Sequence, residues 1–207
     1  MKGAIFDLDG VIVDTAKYHY LAWKEIAKEL GFDFKESDNE RLKGVSRMAS
    51  LEILLEVGNI RNLTQEQKLK IAEKKNNRYL EFLSSLNEGE LIDGAKEYLI
   101  SLKNSGVKVA LGSASKNAPF ILEKLKISDL FDVVVDGNSI SKAKPDPEVF
   151  LKAAEGLGLP AEECCVFEDS QAGIDAAVIG GFHTVAVDKT GVLHGYERRV
   201  DCLGDLL

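Results

Sequence analysis

Short apolar runs alternate with longer stretches of helical periodicity along most of the chain. Gly3-Ala4-Ile5-Phe6 leads into Asp7-Leu8-Asp9-Gly10, and Val107-Lys108-Val109-Ala110-Leu111 leads into Gly112-Ser113. Val133-Val134-Val135 runs into Asp136-Gly137, Cys164-Cys165-Val166-Phe167 into Glu168-Asp169, and Thr184-Val185-Ala186-Val187 into Asp188. Each run is short, apolar and closed by small or polar residues, the pattern of a buried strand that ends in a turn. A last strand is expected near Val200-Asp201-Cys202. Between the runs the spacing predicts helices. One covers 95–105 and closes at Gly106; a second is capped by Asn117, with Pro119 in its first turn and Ile121, Leu122 and Leu125 on one face. A third follows Pro147, and a fourth starts at Ser170 and stops at Gly180-Gly181. Strands alternating with helices imply βαβ crossovers and a mainly parallel, Rossmann-like sheet, an α/β fold.

The stretch from about Thr15 to Glu88 departs from this alternation, because its helical periodicity has no strand within it. Tyr18, Ala22, Ile26 and Leu30 form one stripe, Met48, Leu51, Leu54 and Leu55 a second, and Leu69, Ala72, Tyr79 and Leu83 a third. The expected organisation is a catalytic core of residues 1–14 and 90–207 with an inserted bundle of three to four helices over 15–89. At 207 residues the chain has room for both.

Charge divides along the same line. The whole chain has 26 basic and 34 acidic residues, net −8. Residues 15–88 hold 13 Lys/Arg and 12 Asp/Glu, so the acidity belongs to the sheet portion. Such a balance argues against a broad surface for nucleic acid or an anionic membrane, while leaving room for a local cationic pocket. No apolar run nears the roughly 18 residues of a membrane span, and Met1 leads directly into a strand, so a cytoplasmic protein is expected. Cys164, Cys165 and Cys202 have neither disulfide nor metal spacing and read as small apolar fillers.

In an open parallel sheet, ligands bind beyond the carboxyl ends of the strands, which is where the polar residues gather. Asp7 and Asp9 are two apart in one turn, and Glu168 and Asp169 come from another strand end. Carboxylates crowded together repel and raise one another's pKa, so a hard divalent cation is the natural compensation, and Mg²⁺ suits oxygen ligands.

Asp7-x-Asp9-Gly10 after the first strand, Ser113 after the second, Lys144-Pro145 in a later loop and Glu168-Asp169 after another strand together resemble the haloacid dehalogenase superfamily of phosphotransferases. That resemblance implies Asp7 as the nucleophile that becomes phosphorylated and Asp9 as general acid and base. It further implies Ser113 and Lys144 as phosphoryl-positioning groups. One Mg²⁺ would be held by Asp7, the Asp9 carbonyl and Asp169, with Glu168 alongside. An acid at position 9 speaks against a carbon–halogen substrate.

The inserted segment narrows the resemblance to the β-phosphoglucomutase branch of that superfamily. Leu42-Lys43-Gly44-Val45-Ser46-Arg47 suits a second phosphate, with Arg47 as its clamp and Ser50 one turn beyond. His19 and Trp23, four apart on one helix face, would line a sugar site, and Lys75 before Tyr79 would join them. Ala114, Ser115, Lys116 and Asn117 would help from the core side. The resemblance implies interconversion of β-D-glucose 1-phosphate and D-glucose 6-phosphate, with β-glucose 1,6-bisphosphate as the phosphorylating intermediate. It also implies a cap that closes over sugar phosphate about hinges at Asp14-Thr15 and Glu88-Gly89, bringing Asp9 into position. The expected partner is a small sugar phosphate bound by a monomer, with neither nucleic acid nor membrane. A phosphatase of small sugar phosphates and a non-catalytic sugar-phosphate binder are the competing readings.

Overall fold

In a computed structural model of the chain, residues 1–42 and 45–207 are described; Lys43 and Gly44, both expected to bind phosphate, lie outside them. The strands are β1 (Gly3–Phe6), β2 (Lys108–Gly112), β3 (Val133–Val135), β4 (Cys164–Glu168), β5 (His183–Val187) and β6 (Arg198–Val200). The helices are α1 (Ala16–Glu29), α2 (Glu36–Asn39), α3 (Arg47–Val57), α4 (Gln65–Leu83), α5 (Ala95–Asn104), α6 (Ala118–Lys124), α7 (Glu148–Leu157) and α8 (Gln171–Ile179). They divide into two compact units, one of residues 1–14 and 87–207 and the other of residues 15–86. The short 3₁₀ turn Glu88–Glu90 therefore goes with the sheet.

All strand pairs are parallel, in the order β3-β2-β1-β4-β5-β6. This is the doubly wound order, with its switch point beside β1. Phe6 pairs in register with both Leu111 and Phe167, so Asp7, Gly112 and Glu168 reach one edge of the sheet together. Alternation along the strands divides their side chains between two faces. Ile5, Ala110 and Val166 pack with Val149, Phe150 and Ala177 in one core cluster. Phe6 and Phe167 stack with ring centroids 4.5 Å apart, and Tyr98 of α5 meets both edge-on. Cys164 joins the first cluster and the buried Cys165 does not; burial pushes the Cys165 thiol up to about 12, which keeps it protonated and unreactive.

Two local expectations change and a third holds. The last strand is Arg198–Val200, because the amides of Asp201 and Cys202 donate to the Asp205 carboxylate at 2.9 and 3.2 Å and enter the terminal turn instead of the ladder. Asn117 stands at the N-cap of α6 without a side-chain cap bond. Ser170 does cap α8, accepting from the Gly173 amide at 3.1 Å.

The helical unit packs around Trp23, Ile26, Phe34, Leu51, Leu54, Leu55 and Ala72. The buried residues of α4 are Ala72, Lys75, Tyr79 and Leu83. Leu69, one turn before that face begins, is 53% exposed and leaves the expected stripe.

The C-terminal turn is tied to the start of α5. Gly94 has φ +73°, a Cβ there would strike the Gly204 backbone, and the Gly204 amide donates to the Asp93 carbonyl at 3.2 Å. Gly94→Ala should therefore lower the unfolding free energy by about 1–3 kcal/mol, read from urea denaturation. Gly106→Ala has open space around its Cβ and should cost less, although its φ is also positive.

Candidate active site

The ammonium of Lys144 is the centre of the sheet edge. Its Nζ donates to Asp7 Oδ1 and to Glu168 Oε1, each at 2.5 Å, and lies 4.7 Å from the centre of the Phe150 ring. All three partners of this ion triad are buried. Asp7 is delivered by β1, whose ladder continues one residue further through the Asp7 amide to the Phe167 carbonyl at 3.0 Å. Glu168 is held at its other oxygen by the Ser170 amide at 2.8 Å and the Ser170 hydroxyl at 2.9 Å. A Cβ on Gly173 would collide with the Glu168 carboxylate, and one on Gly10, at φ +81°, would collide with that of Asp169. Two glycines thus leave the space that two acids fill.

Electrostatics follow from this crowding. Burial raises the Asp7 carboxyl to about 7, against the pull of Lys144 and with Glu168 and Asp9 adding repulsion. Burial likewise pushes Asp169 well above the usual carboxylate range, and the neighbouring Glu168, Asp7 and Asp9 push the same way. For Lys144 burial works against the charge, but Asp7 and Glu168 outweigh it and hold the ammonium above its ordinary value. A divalent cation would relieve the repulsion that remains around Asp7 and Asp169.

Among the described residues no cluster of three or more His, Cys, Asp or Glu side chains forms a metal site on its own. The donors available are two carboxylates, Asp7 and Asp169, with the Asp9 carbonyl; that set fits Mg²⁺, which keeps waters and substrate oxygens in its shell. Glu168, expected alongside them, has one oxygen on Lys144 and the other on Ser170. Its position is that of a second partner to Lys144. Sequence reasoning gave Ser170 a capping role alone; the signal for more was its place directly after two acids.

Ser113 is buried at the end of β2, its amide bound to the Val135 carbonyl at 3.0 Å. Its hydroxyl accepts from the Ser115 amide at 3.1 Å, and the Ser115 hydroxyl accepts from the Asn117 amide at 3.3 Å, a chain of turns running from Ser113 through Ala114 to Asn117. Lys116 is exposed. The loop after β3 braces this one: the Gly137 amide donates to the Ser115 carbonyl at 3.1 Å and Asn138 to the Lys116 carbonyl at 3.2 Å.

In the helical unit, Lys75 is only 2% exposed despite its place in a Glu-Lys-Lys run. Its ammonium lies 2.6 Å from His19 Nδ1 and over the rings of Trp23 and Tyr79, at 5.0 and 4.7 Å from their centres. Burial holds the His19 imidazole well below its usual value, with Lys75 and Arg47 adding to the effect. The neutral ring therefore accepts from Lys75 at Nδ1 and keeps its proton at Nε2. His19 also stacks on Tyr79, centroids 4.0 Å apart, and the Tyr79 hydroxyl donates to or accepts from that of Thr15 at 3.1 Å. Trp23, expected to line a sugar site, is 1% exposed and belongs to the core; it supports Lys75 instead. Arg47 donates to Asn76 Oδ1 at 2.7 Å, and Ser46 caps α3 by accepting from the Ala49 amide at 3.3 Å. Val45 precedes that cap, and Ser50 is buried within α3.

The doubly wound sheet thus carries two turn carboxylates, a buried lysine and an acid pair at one edge, the arrangement expected of a haloacid dehalogenase-like enzyme. Residues 1–181 match the haloacid dehalogenase-like hydrolase family, and the chain belongs to it. It is 42% identical to the β-phosphoglucomutase of Bacillus subtilis over 207 residues, all of this chain and 92% of that protein. The crystal structure of β-phosphoglucomutase from Clostridium difficile superposes with a TM-score of 0.95 at 40% identity, covering 100% of this chain and 93% of that one. A phosphorylated carbohydrates phosphatase of Thermotoga maritima is 31% identical over 196 residues, 94% of this chain and 86% of the relative.

The raised Asp7 carboxyl has a direct consequence for stability. The folded chain keeps this proton to higher pH than the unfolded chain, so the group stabilises fully below about pH 4 and loses that contribution as pH climbs through about 7. In protein stripped of divalent metal, the unfolding free energy should decline across that window. Asp7→Asn should flatten the decline, and millimolar Mg²⁺ at pH 7.5 should stabilise the wild type by mass action. An equal slope in wild type and Asp7→Asn would show that this carboxyl is not its source.

Proposed function

We propose that this chain is a β-phosphoglucomutase, interconverting β-D-glucose 1-phosphate and D-glucose 6-phosphate through an aspartyl phosphate and β-glucose 1,6-bisphosphate. The observation that carries the reading is the buried Asp7–Lys144–Glu168 triad in a chain that aligns over its full length with a mutase.

Asp7 Oδ forms the new bond to phosphorus while the bond from phosphorus to the sugar oxygen breaks, and Asp9 gives a proton to that departing oxygen. In the other half-reaction a free hydroxyl of a bound sugar monophosphate attacks the aspartyl phosphate while Asp9 takes its proton, which releases Asp7 and forms the bisphosphate. Bound Mg²⁺, held by Asp7, Asp169 and the Asp9 carbonyl, would supply positive charge to the transferring phosphoryl oxygens. Lys144 and Ser113 neutralise and orient the same oxygens, which is most of what phosphoryl transfer asks of a protein. The bisphosphate turns over between steps, so its second phosphate needs a separate cation. Arg47 is that group, with Ser115, Lys116 and Asn117 contributing from the loop after β2. His19 and Lys75 recognise the sugar, and Asp14-Thr15 is the hinge. A cytoplasmic monomer suits three free cysteines and a chain in which no described helix is long and apolar enough to cross a membrane.

A coupled glucose 6-phosphate assay tests the reading directly. The β anomer with Mg²⁺ and the bisphosphate should yield glucose 6-phosphate, the α anomer should not, and Asp7→Asn should be inactive. Release of inorganic phosphate and free sugar in place of glucose 6-phosphate would make the chain a sugar-phosphate phosphatase. Arg47→Ala should raise the KM for β-glucose 1-phosphate by about ten- to a hundredfold, the loss of a charged hydrogen bond.

A further inference from the structure

Lys144 sits in a connection of irregular structure between β3 and α7, yet its ammonium must meet carboxylates from two different strands. One side chain anchors that connection. Glu148, in the first turn of α7, accepts from the Lys142 amide at 2.7 Å, from the Ser141 amide at 3.0 and 3.1 Å, and from the Ser141 hydroxyl at 2.9 Å. Lys152, one turn further along α7, pairs with Glu148 Oε1 at 2.7 Å. Asp146 completes the loop: it accepts from the Glu148 amide at 3.0 Å and pairs with the Lys142 ammonium at 3.2 Å, while its own amide donates to the Ala143 carbonyl at 3.0 Å. Residues 141–148 are closed on themselves with the Glu148 carboxylate at the base. Lys152 and the donors of Lys142 and Ser141 hold that carboxyl at about 2, so it stays ionised wherever the protein is folded.

We propose that Glu148 is a positioning residue for Lys144, fixing the backbone two and three residues upstream so that one ammonium spans Asp7 and Glu168. The inference rests on the reading of Asp7 and Lys144 as phosphoryl-transfer machinery. A lysine side chain has four flexible bonds, and with its backbone loose it can keep one carboxylate while losing the other. Glu148 prevents this through main-chain amides, and three of its four bonds to the loop fall on Oε2, with the fourth and the Lys152 pair on Oε1. An amide oxygen in that place would preserve the loop; a carboxylate one methylene shorter would not reach it. That difference separates positioning from a general benefit of negative charge at a helix start, which Glu148→Asp retains.

The experiment is single-turnover phosphorylation of Asp7 by acetyl phosphate with Mg²⁺, in which the acetate–phosphorus bond breaks as the Asp7–phosphorus bond forms. It is run on wild type, Glu148→Ala, Glu148→Asp and Glu148→Gln, with thermal unfolding and the KM for β-glucose 1-phosphate measured alongside. Glu148→Ala and Glu148→Asp should phosphorylate about ten- to a hundredfold more slowly, the scale of a misplaced catalytic group. KM should stay within about twofold, and Glu148→Gln should recover most of the rate. Should Glu148→Ala not fold, Glu148→Asp and Glu148→Gln carry the same contrast. Wild-type rates in Glu148→Asp, or a Glu148→Gln protein as slow as Glu148→Asp, would overturn the proposal. Phosphorylation that follows the expected order without any sugar interconversion would overturn the mutase reading alone, and a wild type that never phosphorylates Asp7 would overturn both.

Discussion

The Lys144 ammonium is out of water, and so are the Asp7 and Glu168 carboxylates it bridges. Withdrawing charges from water costs on the order of several kcal/mol per ion, and only close geometry with every remaining lone pair satisfied returns it. Much of the surrounding structure answers that requirement. Parallel pairing of β1 with β4 brings the two acids to one edge, Ser170 saturates the free Glu168 oxygen, and Gly173 and Gly10 leave room for Glu168 and Asp169. Lys144 arrives from a connection without regular structure, so its geometry depends on hydrogen bonds within that connection more than on a ladder or a helix.

Much of this was legible in the chain because the relevant signals are local and periodic. Strand ends show as an apolar run meeting a polar residue, and the candidate site residues sit at or just past those positions, so Asp7, Asp9, Ser113, Glu168 and Asp169 announce themselves along with the fold. What stayed hidden depends on which face of a helix the rest of the chain covers. Lys75 reads as one of several charges on a solvated face, yet it shares the buried side of α4 with Ala72 and Tyr79. Trp23 had two plausible fates, and the packing of Ile26, Phe34 and Leu51 around it decided for the core. The bond from Ser170 to Glu168 stayed hidden for a different reason: nothing in an acid pair says which member a nearby serine will engage.

The two units solve different electrostatic problems. The sheet unit concentrates acids and controls them with one buried lysine. The helical unit is close to neutral by count and instead assembles cationic groups in low-dielectric surroundings, where burial, reinforced by Lys75, depresses the His19 pKa and both lie against aromatic rings. A neutral imidazole with its proton at Nε2 is a hydrogen-bond donor to a hydroxyl or a phosphate oxygen without adding charge, whereas Arg47 adds charge with fixed geometry. Together these groups suit a ligand that has both hydroxyls and phosphate.

The triad at the sheet edge does not by itself say which acceptor would receive a phosphoryl group. Lys144 is oriented by two protein carboxylates, so its charge is placed before any phosphoryl group arrives and serves transfer to a sugar hydroxyl or to water alike. Under the proposed reading, preorganisation of that kind would lower the barrier for every acceptor alike. Discrimination must then come from what controls the acceptor, and the residues suited to that task belong to the helical unit and to the loop after β2. The expensive buried charges of the triad and the cationic groups of the helical unit are thus separate parts of the chain, and replacing the second leaves the first intact.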